Sequence, residues 1–487
     1  MIPRRLFASL GCVAALLAVP APLQAKTPAS APHTDPVAVA LAALPQGARM
    51  GLLVVDDKGA VLAQASADQR MVPASTTKLF TTAAALALLP DPTAPDATGG
   101  ADVVLEGPAR APDVVLRGHG DARLSSANDC TQDCLSTLAD ALASRLGKGA
   151  HVSRVIGDDS AMADERWPSG MSWDNMATGS GTAISALTLD DNLAILPIAS
   201  GAPGTPAMLA APPGVTISGT VQSQTGGGAP FTRQMAVGSD TWQVGGTIPA
   251  GQALTVPLAL ADPAAHAAAV LRAMLVARGI RVSGPALARH RSAPPQPSST
   301  QPSSSAPPSS TPLARLVPPP LAEDVALTLR QSQNLHAELL LRRLGASGTV
   351  ADGLAARQAA LAPAQLPPGS TSLYDGSGMS TYNRTSPRAL VALLRWGLAQ
   401  PWGPLWQAGW PIAGQNGTLK GRLRGTALDG QLRAKTGTLM GTQALAGTFP
   451  AASGRVLTFA VLVNDLPEGK SATPAVDSLL LALAAAF

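Results

Sequence analysis

The chain has 487 residues, a formal net charge of +4 and only 14% charged residues. An apolar fraction of 46% excludes disorder over the whole length, and 47 Gly with 44 Pro, without a collagen period, point to about two to four turn-rich globular domains. No basic cluster of the kind that neutralises phosphates occurs, so nucleic acid is not an expected partner.

The N-terminus reads Arg4-Arg5, an apolar stretch from Leu6 to about Val19, then Pro20 and small residues to Ala25. That is the order of a secretory signal. Pro20 and Pro22 interrupt the run, so a spanning helix of about 20 residues fits poorly. Residues 1–25 are therefore read as a cleaved signal, leaving no stable membrane span. Cleavage also removes Cys12 and leaves Cys130 and Cys134. In an oxidising compartment such a close pair reads as one local disulfide. The segment offers no second cysteine pair and no histidine nearer than His119, so no metal site is expected.

A short helix is expected near 36–44, then strands Gly51–Asp57 and Ala60–Ala63 around the turn Asp57-Lys58-Gly59. Ser75–Leu89 has helical periodicity and stops at Pro90. From 90 to 290 strand-like pieces (Val103–Leu105, Val114–Leu116, Val152–Ile156, Val215–Val221, Trp242–Gly246) alternate with turns and with a helix at Pro263–Arg278, as in one or two β-rich domains. Residues 291–312 are Pro/Ser-rich and lack large apolar side chains, so they are read as a disordered loop. Beyond it come helices at Leu321–Leu344 and Pro387–Leu398, strands at Gln443–Phe449 and Val456–Val463, and a last helix, Thr473–Phe487. That helix carries only Asp477 as a charge, which suits packing on a sheet and not a membrane surface. The four tryptophans between 396 and 410 are read as core.

Lysine is scarce, with seven residues against 28 arginines. Ser75-Thr76-Thr77-Lys78 is the one S-x-x-K. Three apart on a helix, the two side chains share a face, so the amine can serve the hydroxyl as a base. It can do so only when neutral, which requires desolvation or a neighbouring cation. A serine at the helix entry also turns its free backbone N–H toward a developing oxyanion. Lys435-Thr436-Gly437-Thr438 is the one K-T-G, directly before the strand-like Gln443–Phe449. Gly437 allows close approach of a substrate backbone, and Lys435 brings charge for a carboxylate while helping to keep Lys78 neutral. Two S-x-N candidates exist, Ser126–Asn128 in the β-rich segment and Ser332-Gln333-Asn334. The second opens into a helix between the other two motifs and is preferred.

S-x-x-K, S-x-N and K-T-G in that order mark β-lactamases and penicillin-binding proteins. The chain resembles the low-molecular-mass class C penicillin-binding proteins, the D-alanyl-D-alanine carboxypeptidase/endopeptidase family. Similarity extends to Leu116–Asp121, Gly157-Asp158-Asp159-Ser160, Ile184–Leu187, Gly246–Pro249 and Asp375-Gly376-Ser377-Gly378. Gln333 departs from the usual Asp at the middle of S-x-N.

The resemblance implies a multidomain α+β or α/β protein. Its transpeptidase-like (β-lactamase-like) domain, 26–89 and 313–487, is split by a β-rich insert at 90–290. It implies Ser75 as acylated nucleophile, Lys78 as base, Ser332 as proton relay, Asn334 on the substrate amide and Lys435 with Thr436 on the terminal carboxylate. Gly437 and Thr438 would border the substrate, and backbone N–H groups of Ser75 and Thr438 would form the oxyanion hole. An aspartate of the Gly-Asp segment, Asp158 in preference to Asp159, would meet the diamino-acid side chain of a stem peptide. The implied partners are peptidoglycan stem peptides ending in D-Ala-D-Ala or crosslinked through D-Ala, with β-lactams as covalent inhibitors. The implied location is the periplasm, and no cofactor or metal is called for.

Two other readings use the same residues. A class A β-lactamase needs a glutamate beyond S-x-N to hydrolyse the acyl-enzyme, and none occurs between Glu338 and Glu468. A catalytically silent wall-binding protein would have no need of the intact set. H-E-x-x-H and G-x-S-x-G are both missing, which excludes the metalloprotease and hydrolase-elbow readings.

Overall fold

The computed structural model describes residues 35–89, 91–226, 228–292 and 311–487. The signal-like segment 1–25 lies outside them, as does nearly all of the Pro/Ser-rich stretch. Among the described residues, no helix is long and apolar enough to cross a membrane.

The first sheet draws strands from both ends of the chain. β1 (Arg49–Val55) and β2 (Val61–Ala65) form the expected hairpin, and β8 (Arg433–Leu439), β9 (Thr442–Pro450) and β10 (Val456–Asn464) complete the order β2-β1-β10-β9-β8, antiparallel throughout. Both faces are covered. Helices α1 (Pro36–Ala42) and α10 (Thr473–Ala486) pack on one side over a core containing Leu52, Phe449, Phe459 and Leu480. On the other side lie α2 (Thr77–Leu88), α5 (Leu321–Arg330), α8 (Pro387–Leu398) and α9 (Gly403–Ala408). Trp406 and Trp410 are fully buried there, with Trp396 and Trp402 packed edge-to-face beside them.

The intervening chain makes a second sheet from β3 (Ala101–Glu106), β4 (Asp113–Gly118), β5 (Val155–Ala163), β6 (Ala286–Arg291) and β7 (Ala314–Leu316), in the order β6-β5-β4-β3-β7. Helices α3 (Leu135–Leu146) and α4 (Pro263–Ala277) cover it. A further core gathers around Trp242 from shorter strands between 193 and 259. Arg291 is therefore a strand residue and not the start of a loop. Ala314–Leu316 pairs with β3, so the return to the first sheet comes after Leu316 rather than at 313.

Two local expectations change. The helix expected over 321–344 is two, α5 and α6 (Asn334–Leu344), because Ser332 sits at φ +64°, which a right-handed helix cannot continue. K-T-G does not precede the strand but lies within one: β8 is the edge strand, hairpinned to β9. Helix α7 (Val350–Ala360) then packs against α6 and α2. Helix α6 also forms a seam with the inserted region, where Leu335 and Leu339 meet Ala122, Met162, Ile184 and Ala186.

Candidate active site

A 3-10 turn, Ala74–Thr76, leads into α2, with the Thr76 hydroxyl donating to the Pro73 carbonyl at 2.8 Å. From Thr77 to Leu86 every residue of α2 is buried, as a helix running through a core requires. Lys78 is thus enclosed. Its Nζ lies 2.9 Å from Ser75 Oγ, 2.6 Å from Asn334 Oδ1 and 2.7 Å from the Ser377 carbonyl. Two of these partners are acceptors and the third is a hydroxyl. An ammonium can donate to all three, whereas a neutral amine donates to Asn334 and Ser377 and is left with a lone pair for the Ser75 proton.

Burial pushes the Lys78 amine down from 10.5 to about 7, against the opposing pull of Asp375 and Glu338. Those carboxylates sit behind it and are otherwise engaged. Glu338 Oε1 accepts from the backbone of Gly376 and Ser377, and Oε2 from Arg342 at 3.0 Å. Asp375 accepts from the backbone of Gly378 and Ser380 and from Asn383, while burial, and then Glu338, push its carboxyl up. The loop Asp375–Gly378 thereby holds the Ser377 carbonyl on Lys78. Sequence reasoning noted this loop without its role. The signal was present: Glu338 stands four residues after Asn334, on the same face of α6.

A second lysine–serine pair stands opposite. Lys435, fully buried on β8, places Nζ 2.9 Å from Ser332 Oγ and 2.8 Å from the Thr436 carbonyl. Burial, and then Lys78, hold it well below the usual lysine range. The expectation that Lys435 keeps Lys78 neutral needs adjusting, since burial is the leading cause for both.

Glycine is required where β8 and the 375–378 loop close on Ser75. A Cβ on Gly437 would lie 2.7 Å from the Pro73 carbonyl, and one on Gly378, at φ +90°, would lie 2.0 Å from the Ala74 carbonyl. On the outer side of β8 the Ala434 N–H donates to Pro411. By the two-residue period of a strand, the N–H groups of Thr436 and Thr438 face the same way, beyond the point where Ile412 pairs with Arg433. The Thr438 N–H and the N-terminus of the α2 segment at Ser75 thus border one open space.

That space is a cleft of about 1240 Å³ lined by Ser75, Ser332, Asn334, Thr436, Gly437 and Thr438. The inserted region supplies its opposite wall through Ser172, Asp174, Asn175 and Ser180. The Ser180 carbonyl accepts from Asn334 Nδ2 at 2.8 Å, and Thr418 shares a 2.7 Å hydrogen bond with Thr436.

Not every candidate is here. Asp158 is buried within β5, where it accepts from Arg289 at 3.0 Å and from the Ser160 backbone, so it is a strand residue outside the cleft. Asp159 is likewise held, by Ser185 and His290. Two acidic side chains do line the cleft: Asp174, which is exposed, and Asp465, which accepts from Arg49. Ser126 hydrogen-bonds to Asp190 in the inserted region, and Cys130 and Cys134 are joined by a disulfide there.

Comparison with known proteins shows the family. Residues 34–485 match the model of the D-Ala-D-Ala carboxypeptidase 3 (S13) family. The chain belongs to that family. A D-alanyl-D-alanine carboxypeptidase of Actinomadura sp. (strain R39) is 30% identical over 90% of this chain and 82% of its own length. Carboxypeptidase DacB of Mycolicibacterium smegmatis is 29% identical over 95% and 86%. Penicillin binding protein 4 from Haemophilus influenzae superposes with a TM-score of 0.75 at 21% identity, covering 92% of this chain and 98% of that one, which shows the shared fold. As an S13 family member the chain is a serine-type carboxypeptidase, a hydrolase of the penicillin-binding-protein fold.

Proposed function

We propose that Ser75 attacks the carbonyl of the penultimate D-alanine in a peptidoglycan stem peptide. The Ser75 proton passes to Lys78 as the Oγ–C bond forms. The C–N bond then breaks, and the leaving amine takes the Lys78 proton through the Ser332 hydroxyl, which returns Lys78 to its neutral form. Water next attacks the acyl-serine, with Lys78 accepting its proton and passing it to Ser75 Oγ as the C–O bond breaks, which restores both groups. The observation that carries this reading is the set of three partners around Lys78 Nζ, which leaves the neutral amine a lone pair for the Ser75 proton. Pre-set N–H groups of Ser75 and Thr438 receive the developing oxyanion.

The substrate lies along β8 as an added strand, its amide against Asn334 and its carboxylate beside Lys435 and Thr436. That carboxylate favours the protonated form of Lys435, which takes up a proton from water as the substrate binds, against burial that alone disfavours the charge. Asp174 takes over the part first assigned to Asp158, meeting the ammonium of the diamino-acid side chain. The cleft is larger than a dipeptide end requires, which supports cleavage of crosslinks as well as removal of terminal D-Ala. Penicillin acylates the same serine. Among the described residues no carboxylate hydrogen-bonds Ser75 to activate water against that adduct, so the β-lactamase reading is disfavoured. The signal-like N-terminus and the Cys130–Cys134 disulfide support export to the periplasm.

Labelling with a fluorescent penicillin tests the centre: a covalent adduct lost in Ser75→Ala is expected, and an adduct that persists refutes it. Digestion of crosslinked muropeptides then separates the activities, since carboxypeptidase action consumes pentapeptides and endopeptidase action consumes dimers.

A further inference from the structure

Ser332 is left-handed, a conformation that is strained for a non-glycine residue and persists only when its surroundings enforce it. Lys435 holds its hydroxyl. Its other neighbour, Gln333, is held from outside the catalytic sheet: Gln333 Nε2 donates to Asp191 Oδ2 at 3.2 Å. Asp191 Oδ1 accepts in turn from His336 at 3.0 Å, one turn into α6.

Asp191 is itself fixed by unusual backbone. Asp190, Asp191 and Asn192 have φ of +49°, +55° and +56°, and they are the sole run of three consecutive non-glycine residues with positive φ among those described. Each side chain has a separate task. Asp190 accepts from the Ser125 hydroxyl and from the Ser126 backbone and hydroxyl. Asn192 accepts from the Leu189 backbone and donates to the Ala183 carbonyl, three residues after the Ser180 carbonyl that holds Asn334. Asp191 alone reaches across the seam.

We infer that Asp191 is a positioning residue: the inserted region grips the S-x-N segment through an Asp191–Gln333 pair that keeps Ser332 in its working conformation. This also accounts for the glutamine in place of the usual aspartate. An aspartate at 333 would bring a second negative charge toward the Asp191 carboxylate and is one methylene too short to reach it, whereas the longer amide reaches and donates to it. The inference rests on the proposed role of Ser332 as proton relay.

The test is an isosteric exchange measured by penicillin acylation, with non-covalent affinity and thermal midpoint followed alongside. Gln333→Glu sets two carboxylates together, and acylation is expected to slow by about tenfold or more with affinity changed by less than about threefold. Asp191→Asn keeps an acceptor for His336, and Gln333 can turn its amide over, so a loss of under about threefold is expected. The double variant Gln333→Glu/Asp191→Asn reverses donor and acceptor and should recover most of the loss, which mere destabilisation at 333 would not allow. Should Gln333→Glu fail to fold, Asp191→Ala decides: a fall of about fivefold or more supports the grip, and a smaller one overturns it. Near wild-type acylation by Gln333→Glu, or a double variant as slow as the single, also overturns it. Failure of the wild type to acylate would instead refute the Ser75 reading.

Discussion

Lys78 and His336 are both almost wholly buried, on helices that pack against each other, yet their charges go opposite ways. Lys78 touches a hydroxyl, an amide oxygen and a carbonyl, while its nearest carboxylates are occupied by backbone N–H groups one layer back. Burial prevails, and its amine falls to about 7. His336 touches carboxylates directly, Asp324 at 2.5 Å and Asp191 at 3.0 Å. Burial opposes its charge too, but these two acids outweigh it and push the imidazole up to about 10. What decides a buried cation's state is whether the neighbouring anions are free to meet it. The cleft keeps its anions busy and obtains a base. The seam aims an oxygen of each of two anions straight at the imidazole and obtains a fixed cation.

The largest break in this contrast comes from forcing charge into the cleft. Lys78→Arg cannot deprotonate and Lys78→Met cannot accept a proton, so each should slow penicillin acylation by about a thousandfold or more. Next, Asp324→Asn removes one of the His336 partners and should cost about 3 kcal/mol of stability near pH 6. The raised imidazole contributes stability that is fully present below the unfolded value of 6.5 and is lost as pH climbs through about 10. The gap in thermal midpoint between wild type and Asp324→Asn should therefore close between those values. The pH profile of acylation sharpens the other half. Its base is the neutral form of Lys78, so the rate should fall about tenfold per unit below pH 7 and level off above it. Because Glu338 holds Lys78 up, Glu338→Gln should move that midpoint to lower pH. The smallest effect is expected at neither site: replacing Cys130 and Cys134 by serine opens a short loop, costs about 2 kcal/mol at most and leaves acylation unchanged.

The reactive groups were legible because each motif is compact. Ser75 and Lys78 are one helical turn apart, and Lys435 to Thr438 are consecutive on a strand. What could not be read were partners distant in sequence. Asp158 and Asp159 stood in a family-like segment with no sign that Arg289 and His290 would engage them from a strand about 130 residues on. Likewise, nothing local shows that Asp191 meets Gln333 or that residues 172–180 wall the cleft. The edge strand holding K-T-G was missed because Arg433–Leu439 mixes cations, threonines and glycine without a long apolar run. The split of 321–344 turned on a single backbone angle at Ser332, which periodicity does not report.

The edge position of β8 has a consequence for solubility. A strand with free N–H and C=O groups invites any extended chain, including one from another copy of the molecule. Pro411 and Ile412 cap its first residues, and the rest borders the cleft, whose lining includes residues of the inserted region. An intruding polypeptide would find only a few rungs to pair with, enough for a short peptide end and too few to seed a fibre. The same wall that bounds the cleft therefore acts as a guard against self-association, so shortening the 172–180 segment should show itself first as aggregation on concentration.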